Sequence, residues 1–199
     1  MQKKNTITFT YRHLTTVIIR LNKTLAIDLD SVLADVVVTW VNEYNRLKDS
    51  NIVKEDIVVW DIHTLLPITE TESNLLFSDV WIYRWRDIPP TQNRIGKIIE
   101  RLKTQNYRIS ILTRRDRKTI PYVYNWLETN HIDCDDLICV FDSNPKSIYP
   151  FDILIDDAPQ NIVDIKFPKK GILFDQPWNR SFNWPIRINR LSDLFHCLS

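Results

Sequence analysis

The chain has few glycines and few cysteines, and each shortage excludes some classes of binding site or fold. Only two glycines, Gly96 and Gly171, occur in 199 residues. A Walker loop or a Gly-x-Gly-x-x-Gly fingerprint needs several closely spaced glycines, so any phosphate must be bound by other groups. The three cysteines, Cys134, Cys139 and Cys197, form no Cys-x-x-Cys pair. An odd number of cysteines is unfavourable for a disulfide framework, so we expect the protein to reside in a reducing cytoplasm.

The chain also lacks a long apolar run and a strong net charge. No stretch reaches the roughly 18 apolar residues of a membrane span, so we expect no membrane association. The 26 basic and 25 acidic side chains leave a net charge of +1, which gives no electrostatic basis for binding nucleic acid. The four histidines are scattered without the spacing of zinc ligands.

What is present is a repeating pattern of strands and helices. With 44% hydrophobic residues, the chain can build one sizeable core and an inserted subdomain. An amphipathic helix is predicted over 95–102 and another helix over 121–129. The predicted strands are 25–27, 107–112, 137–141, 151–155 and 172–174. This alternation predicts an α/β fold, with a parallel sheet and helices on its faces.

The pattern divides the chain into a core and an insertion. We assign residues 1–37 and 90–199 to the core and 38–89 to a helical insertion, which ends at the boundary Pro89-Pro90. Residues 1–24 contain no acidic side chain, and 6–11 alternate with period two, which predicts an extra strand or hairpin. A transit-like leader or an upstream start codon is the alternative.

Acidic residues follow two of the predicted strands. Asp28 and Asp30 come at the end of the first apolar run, and Asp156 and Asp157 follow a later one. In a parallel sheet these carboxylates converge at the carboxyl ends of the strands, where open α/β sheets bind ligands. So much negative charge requires a cation, and oxygen-only ligands suit Mg²⁺.

Thr113 and Lys146 complete the polar set at the strand ends. A hydroxyl and an ammonium can hold phosphoryl oxygens while one carboxylate attacks and a second transfers a proton. Each feature alone has an ordinary structural explanation, such as a helix cap or a turn residue. Their occurrence in order, each after a predicted strand, indicates phosphoryl transfer.

These residues resemble the motifs of the haloacid dehalogenase (HAD) superfamily. Residues 28–32 match its first motif, Thr113 the second, Lys146 the third and 156–157 the fourth. Within that superfamily, residues 26–35 resemble the 5′(3′)-deoxyribonucleotidase branch, as do 154–161 and 173–180. The resemblance covers about 25–190. It implies a Rossmann-like three-layer core with a small helical cap inserted after the first catalytic strand.

The resemblance also implies roles. Asp28 would attack phosphorus to form an aspartyl-phosphate, and Asp30 would protonate the leaving oxygen and then activate water. Thr113 and Lys146 would hold the phosphoryl group. The Mg²⁺ would be held by Asp28, the backbone carbonyl of Asp30, Asp156 and Asp157, with either of the last two as the direct ligand.

The sequence indicates the substrate less clearly than it indicates the reaction. Ser31 stands where the superfamily commonly has glycine, and Arg114 follows Thr113 where a small residue is usual. Arg114 begins a basic run to Lys118, which is either a solvated loop or a cationic rim that binds substrate. Aromatic residues of the insertion could stack on a nucleobase or pack its own core, with Trp60, Trp81 and Trp85 as the substrate-binding candidates alongside Phe77 and Tyr83.

Three functions therefore remain open at this point. The favoured one is a Mg²⁺-dependent phosphomonoesterase acting on a nucleoside monophosphate, with a homodimer left open. The second is a related phosphatase for another small ester, such as a sugar phosphate. The third is a non-hydrolytic receiver-like phosphoacceptor module, although receivers place their acidic pair before the phosphoacceptor and lack an insertion.

Overall fold

The computed structural model of the protein describes residues 22–141 and 143–198. The strands are β1 (Lys23–Ile27), β2 (Tyr107–Arg114), β3 (Asp136–Val140), β4 (Ile153–Asp156), β5 (Lys170–Phe174) and β6 (Arg187–Ile188). The α-helices are α1 (Val36–Lys48), α2 (Glu70–Tyr83), α3 (Ile95–Thr104), α4 (Ile120–Thr129), α5 (Pro159–Ile162) and α6 (Leu194–Cys197). The strand or hairpin predicted for 6–11 lies outside the described residues.

All six strands form one parallel sheet in the order β3-β2-β1-β4-β5-β6. This is the predicted α/β, Rossmann-like arrangement, and the five strands expected from the sequence are all present. The sixth, β6, was not predicted, because two residues are too few to show an alternating pattern.

Alternate residues of the strands bury two separate clusters, one on each face of the sheet. On β1, Leu25 and Ile27 belong to the larger cluster and Ala26 to the smaller one. The larger cluster joins the sheet to helices α1 to α4 and α6, and the smaller one joins it to α5. Both faces of the central strands are therefore covered, which explains why these strands are apolar throughout.

The register of the sheet brings the polar strand ends together. Ile27 pairs with Ile111 on one side and with Ile155 on the other. Asp28 and Asp156 each follow directly, and Thr113 lies two residues beyond Ile111. Because parallel strands end at the same edge, the reactive side chains meet there.

The segment between β1 and α3 supplies the opposite wall of this edge. Helix α1 begins at Val36, so the expected boundary at 37/38 falls within its first turn. Helix α2 begins with a capping box: Glu72 N donates to Thr69 Oγ1 at 3.2 Å, and Thr69 N donates to Glu72 Oε2 at 2.9 Å. None of the helices among the described residues is both long and apolar enough to cross a membrane.

Candidate active site

A cavity of about 810 Å³ lies between the strand ends and the inserted segment. The strand ends line it with Asp28, Asp30, Thr113, Lys146 and Asp157. The inserted segment lines it mainly with one face of α2 and the loop before that helix, including Trp60, His63, Asn74, Phe77, Ser78 and Trp81. One wall of the cavity therefore carries the ionic and hydroxyl groups predicted to act on a phosphate, and the other wall carries mainly aromatic and uncharged polar side chains.

Lys146 lies at the centre of the buried charges. Its ammonium is 2.9 Å from Asp28 Oδ1 and 2.7 Å from Asp156 Oδ2, and the side chain is 1% exposed. Burial alone would lower the pKa of Lys146, but Asp156 and Asp28 raise it above its usual value. The lysine is therefore charged at neutral pH and neutralises part of the acidic cluster.

One lysine does not neutralise the whole cluster. Carboxylate oxygens of Asp28, Asp156 and Asp157 lie within 4.8 Å of one another, and all three residues are buried. Burial raises the pKa of Asp28 to about 7, where Asp156 and Asp30 add to the effect and Lys146 opposes it. Burial and the neighbouring Asp156 and Asp28 also raise the pKa of Asp157 well above its usual value. The three carboxylates outnumber the one ammonium, and their oxygen-only donors fit a hard divalent cation.

Asp156 and Asp157 have different surroundings. Asp156 Oδ2 accepts from Lys146, and its Oδ1 accepts from Ala158 N at 2.9 Å and Asn161 Nδ2 at 3.0 Å. Asp157 Oδ2 accepts from Trp178 Nε1 at 3.0 Å. Both oxygens of Asp156 are thus occupied by internal donors, whereas Asp157 has one described side-chain donor.

Thr113 places an unpaired hydroxyl in the cavity. It is the second-to-last residue of strand β2 and is fully buried. Its Oγ1 has no hydrogen-bond partner among the described residues. A buried polar atom without a partner is costly, so this hydroxyl is suited to a ligand that supplies the missing bond.

Asp30 has hydrogen-bond donors that the carboxylate cluster does not share. Its Oδ1 accepts from Trp81 Nε1 at 2.8 Å, and its Oδ2 accepts from Arg115 Nη2 at 2.7 Å. The side chain remains 31% exposed. Asp30 is therefore the carboxylate at the boundary between the strand ends and α2.

The three tryptophans predicted to bind substrate lie in different environments. Trp60 is 47% exposed and packs edge-on against Trp178, with ring centroids 6.5 Å apart. Trp81 is 2% exposed and uses its indole N–H on Asp30, so it offers little open face for a base. Trp85 lines a separate cavity of about 290 Å³ beside Pro89-Pro90, with the Arg86 guanidinium 4.3 Å from its ring centroid.

The placement of Trp85 differs from the expectation because α2 ends at Tyr83, before this residue is reached. Trp85 begins a separate 3₁₀ turn, so it does not continue the face of α2 that lines the main cavity. Phe77 lies on that face, whereas Tyr83 is 75% exposed and does not line the cavity. Of the two aromatics Trp60 and Phe77, both on the main cavity, Trp60 is exposed, whereas Phe77 is half-buried and stacks on Trp40, with ring centroids 5.4 Å apart.

Arg114 and Arg115 follow different paths although they are adjacent. Arg114 is exposed, lines the cavity, and donates to Asn144 O at 2.8 Å. The side chain of Arg115 is 4% exposed and pairs with Asp30. The basic run is thus neither wholly a solvated loop nor wholly a rim.

Sequence comparison matches the chain that forms this site to a known family. The model of the family described as "5′ nucleotidase, deoxy (Pyrimidine), cytosolic type C protein" matches residues 22–197. The chain belongs to this family. A 5′(3′)-deoxyribonucleotidase of Bacillus subtilis is 30% identical over 169 residues, which cover 84% of this chain and 94% of that enzyme. A 5′(3′)-deoxyribonucleotidase of Clostridium acetobutylicum is 30% identical over 165 residues, which cover 82% and 88%.

Solved structures confirm the fold of this nucleotidase family member. A protein from Clostridium acetobutylicum, described as a predicted phosphatase, superposes with a TM-score of 0.63 at 13% identity, over 89% of this chain and 98% of that one. A HAD hydrolase of Bacillus subtilis solved with bound magnesium superposes with a TM-score of 0.56 at 13% identity, over 89% and 99%. The predicted HAD superfamily is therefore confirmed, and the chain is a phosphomonoester hydrolase. A receiver-like module is excluded.

Several residues of this nucleotidase-family site were not singled out from the sequence. Trp178 and Asn161 fix the acidic pair, and Gln176 donates from Nε2 to Ser31 O at 2.5 Å. The signal was present, because all three lie in segments that resemble the deoxyribonucleotidase branch. Arg115 had no such signal, since a buried arginine and a surface arginine look alike within a basic run.

Proposed function

We propose that the protein is a Mg²⁺-dependent nucleotidase that hydrolyses deoxynucleoside monophosphates through an aspartyl-phosphate on Asp28. The observation that carries this proposal is the position of Asp28: it is buried beside the Lys146 ammonium, in a cavity that also contains the unpaired hydroxyl of Thr113. A nucleophile, a cation and a free hydroxyl at one point suit an incoming phosphoryl group.

In the first step, the Asp28 carboxylate attacks phosphorus while the bond to the leaving oxygen breaks. Asp30 supplies the proton that the leaving oxygen needs. In the second step, Asp30 takes a proton from water, the water oxygen attacks phosphorus, and the bond to Asp28 breaks. Thr113 donates to a phosphoryl oxygen, and Lys146 stabilises the negative charge on Asp28 and the phosphoryl group.

The buried carboxylates fit the magnesium ion that this proposal requires. Asp28 and Asp157 would supply carboxylate oxygens, and Asp30 would supply its backbone carbonyl. Asp156 would orient Lys146 and the loop after β4, because internal donors already occupy both of its oxygens. Bound Mg²⁺ would withdraw charge from the phosphoryl oxygens and offset repulsion within the cluster.

The wall opposite the strand ends supports a nucleotide as the substrate. The inserted segment, 38–89, would act as a cap that limits the entry of water during the reaction. Trp60 and Phe77 present aromatic surface in the cavity, and aromatic stacking stabilises a bound base by roughly 1–3 kcal/mol. The related Bacillus and Clostridium enzymes carry the name deoxyribonucleotidase. The three cysteines are free thiols, in keeping with a reducing cytoplasm.

A panel of phosphate esters tests the proposal. Phosphate release would be measured for 5′ and 3′ deoxynucleoside monophosphates, ribonucleotides, a sugar phosphate and an aryl phosphate, with Mg²⁺ and with excess chelator. We expect activity only with the metal, and a kcat/KM for the best deoxynucleotide at least about tenfold above that for the sugar phosphate. A better rate with the sugar phosphate would overturn the nucleotidase assignment, and full activity in chelator would overturn the metal.

A further inference from the structure

Asp30 is bound by two donors that come from different parts of the chain. Trp81 belongs to α2 of the inserted segment, whereas Arg115 follows β2 in the core. Their nitrogen atoms lie 2.8 Å and 2.7 Å from the two carboxylate oxygens. Two bonds to two oxygens fix the plane of the carboxyl group, which a single bond would leave free to rotate.

The two donors also support each other. The Arg115 guanidinium lies over the Trp81 ring, 4.5 Å from its centroid, and its side chain is 4% exposed. Trp81 also packs edge-on against the ring of Trp126, with centroids 6.2 Å apart and an interplanar angle of 76°. Both donors are thus held by packing as well as by their bonds to Asp30. Burying the charged Arg115 guanidinium costs desolvation free energy, which a surface ion pair would not require.

We propose that Trp81 and Arg115 are positioning residues that orient Asp30 for proton transfer, so that Asp30 is aligned only when α2 is docked. The inference rests on the proposed function, since it assumes that Asp30 is the general acid and base. A carboxyl group that donates a proton through one oxygen still accepts through the other. One of the two bonds can therefore persist at each stage of the reaction.

The dependence of rate on the leaving group separates this role from substrate binding. A phosphate ester with a poor leaving group needs protonation of the departing oxygen, whereas one with a good leaving group does not. Phenyl phosphate and p-nitrophenyl phosphate provide such a pair, and neither carries a nucleobase. The value of kcat/KM reports the step in which the leaving group departs, so it isolates the first proton transfer.

The variants are Trp81→Phe, which keeps a ring but deletes the N–H, and Arg115→Gln, with Arg115→Lys as the conservative rescue. Two controls match the changes away from Asp30. Trp184→Phe deletes an N–H that donates to Gly171 O at 2.9 Å, and Arg117→Gln removes an exposed cation of the same loop. Melting temperatures would show that each variant folds.

We expect Trp81→Phe and Arg115→Gln each to lower kcat/KM for phenyl phosphate by at least about tenfold, and that for p-nitrophenyl phosphate by less than about threefold. Arg115→Lys should recover part of the loss, and both controls should match the wild type. Equal losses with the two esters, or a rise in KM alone, would overturn the inference while leaving the nucleotidase assignment intact. A wild type that hydrolyses neither ester nor any nucleotide would overturn both. If Arg115→Gln fails to fold, Trp81→Phe decides.

Discussion

The two walls of the cavity differ in how their side chains are held. The strand-end wall contains Asp28, Lys146 and Asp157, each at most 7% exposed and held by an ion pair or a hydrogen bond. The wall from the inserted segment contains the buried Trp81 but also Trp60 and Asn74, which are exposed. Charges buried on rigid strands can be aligned for chemistry, whereas side chains on a smaller helical segment can adapt to a substrate. This division predicts that changes in the two walls have different consequences.

The largest effect should come from the nucleophile in the strand-end wall. Asp28→Asn is nearly isosteric and removes the attacking charge, so phosphatase activity should fall by at least about three orders of magnitude. Initial rates of phosphate release would measure this loss, and an unchanged or higher melting temperature would show that the fold is intact. More than a few per cent of residual activity would break the proposed division.

A second test concerns the stability of the same wall without metal. The pKa of Asp28 is raised to about 7 and that of Asp157 is raised, so the folded state holds more protons than the unfolded state between pH 4 and pH 7. The free energy of unfolding should therefore decrease as pH rises through this range. Metal-free protein should melt several degrees lower at pH 8 than at pH 5. For a chain of this size, each kcal/mol lost from the free energy of unfolding lowers the melting temperature by about 2–4 °C.

Adding Mg²⁺ at pH 8 should reverse most of that decrease, because the cation replaces protons in balancing the carboxylates. Asp157→Asn should weaken the response to the metal, since it removes a proposed ligand. Differential scanning calorimetry at the two pH values would measure both effects. A melting temperature that rises from pH 5 to pH 8 without metal would contradict the buried, unbalanced cluster.

A third test addresses the wall from the inserted segment. Trp60→Leu removes an exposed aromatic surface and replaces none of the strand-end side chains, so it should lower kcat/KM for a deoxynucleotide by about tenfold to a hundredfold. Hydrolysis of p-nitrophenyl phosphate should be affected far less. Tyr83→Leu is the matched control, because Tyr83 is 75% exposed and does not line the cavity. Equal losses on both substrates would show that the two walls are not separable in function.

The smallest effect should come from Ser31, which joins the two walls. Its φ is 64°, a left-handed conformation that costs a residue with a Cβ about 1–2 kcal/mol. Ser31→Gly removes that strain but increases the entropy of the unfolded chain, so we expect a net gain below about 1 kcal/mol. Thermal melting should rise by a few degrees. Ser50→Gly, at a residue without positive φ, should lower it.

The strand-end wall could be predicted from the sequence because it depends on short-range patterns of residues. Apolar runs predict the strands, the βα alternation predicts that they are parallel, and parallel strands end at one edge. The positions of Asp28, Thr113 and the pair Asp156-Asp157 at the end of β4 follow from those steps, and Lys146 follows as a residue of the turn after β3. Helix α2 was less clear, because polar residues such as Asn74 and Ser78 line its cavity face. The helix begins with a Thr69–Glu72 capping box, a pattern from which no helix was predicted.

What the sequence by itself determined is thus the α/β fold and the set of groups at the strand ends, since both depend on short-range periodicity and on the direction of the strands. Only the tertiary structure decided how the inserted segment meets that edge. It brought Trp81 and Arg115 onto Asp30 across 51 and 85 positions of sequence, and it placed Trp85 in another cavity. The reason is that the docking and rotation of a helix depend on packing across the whole core, which no local pattern encodes.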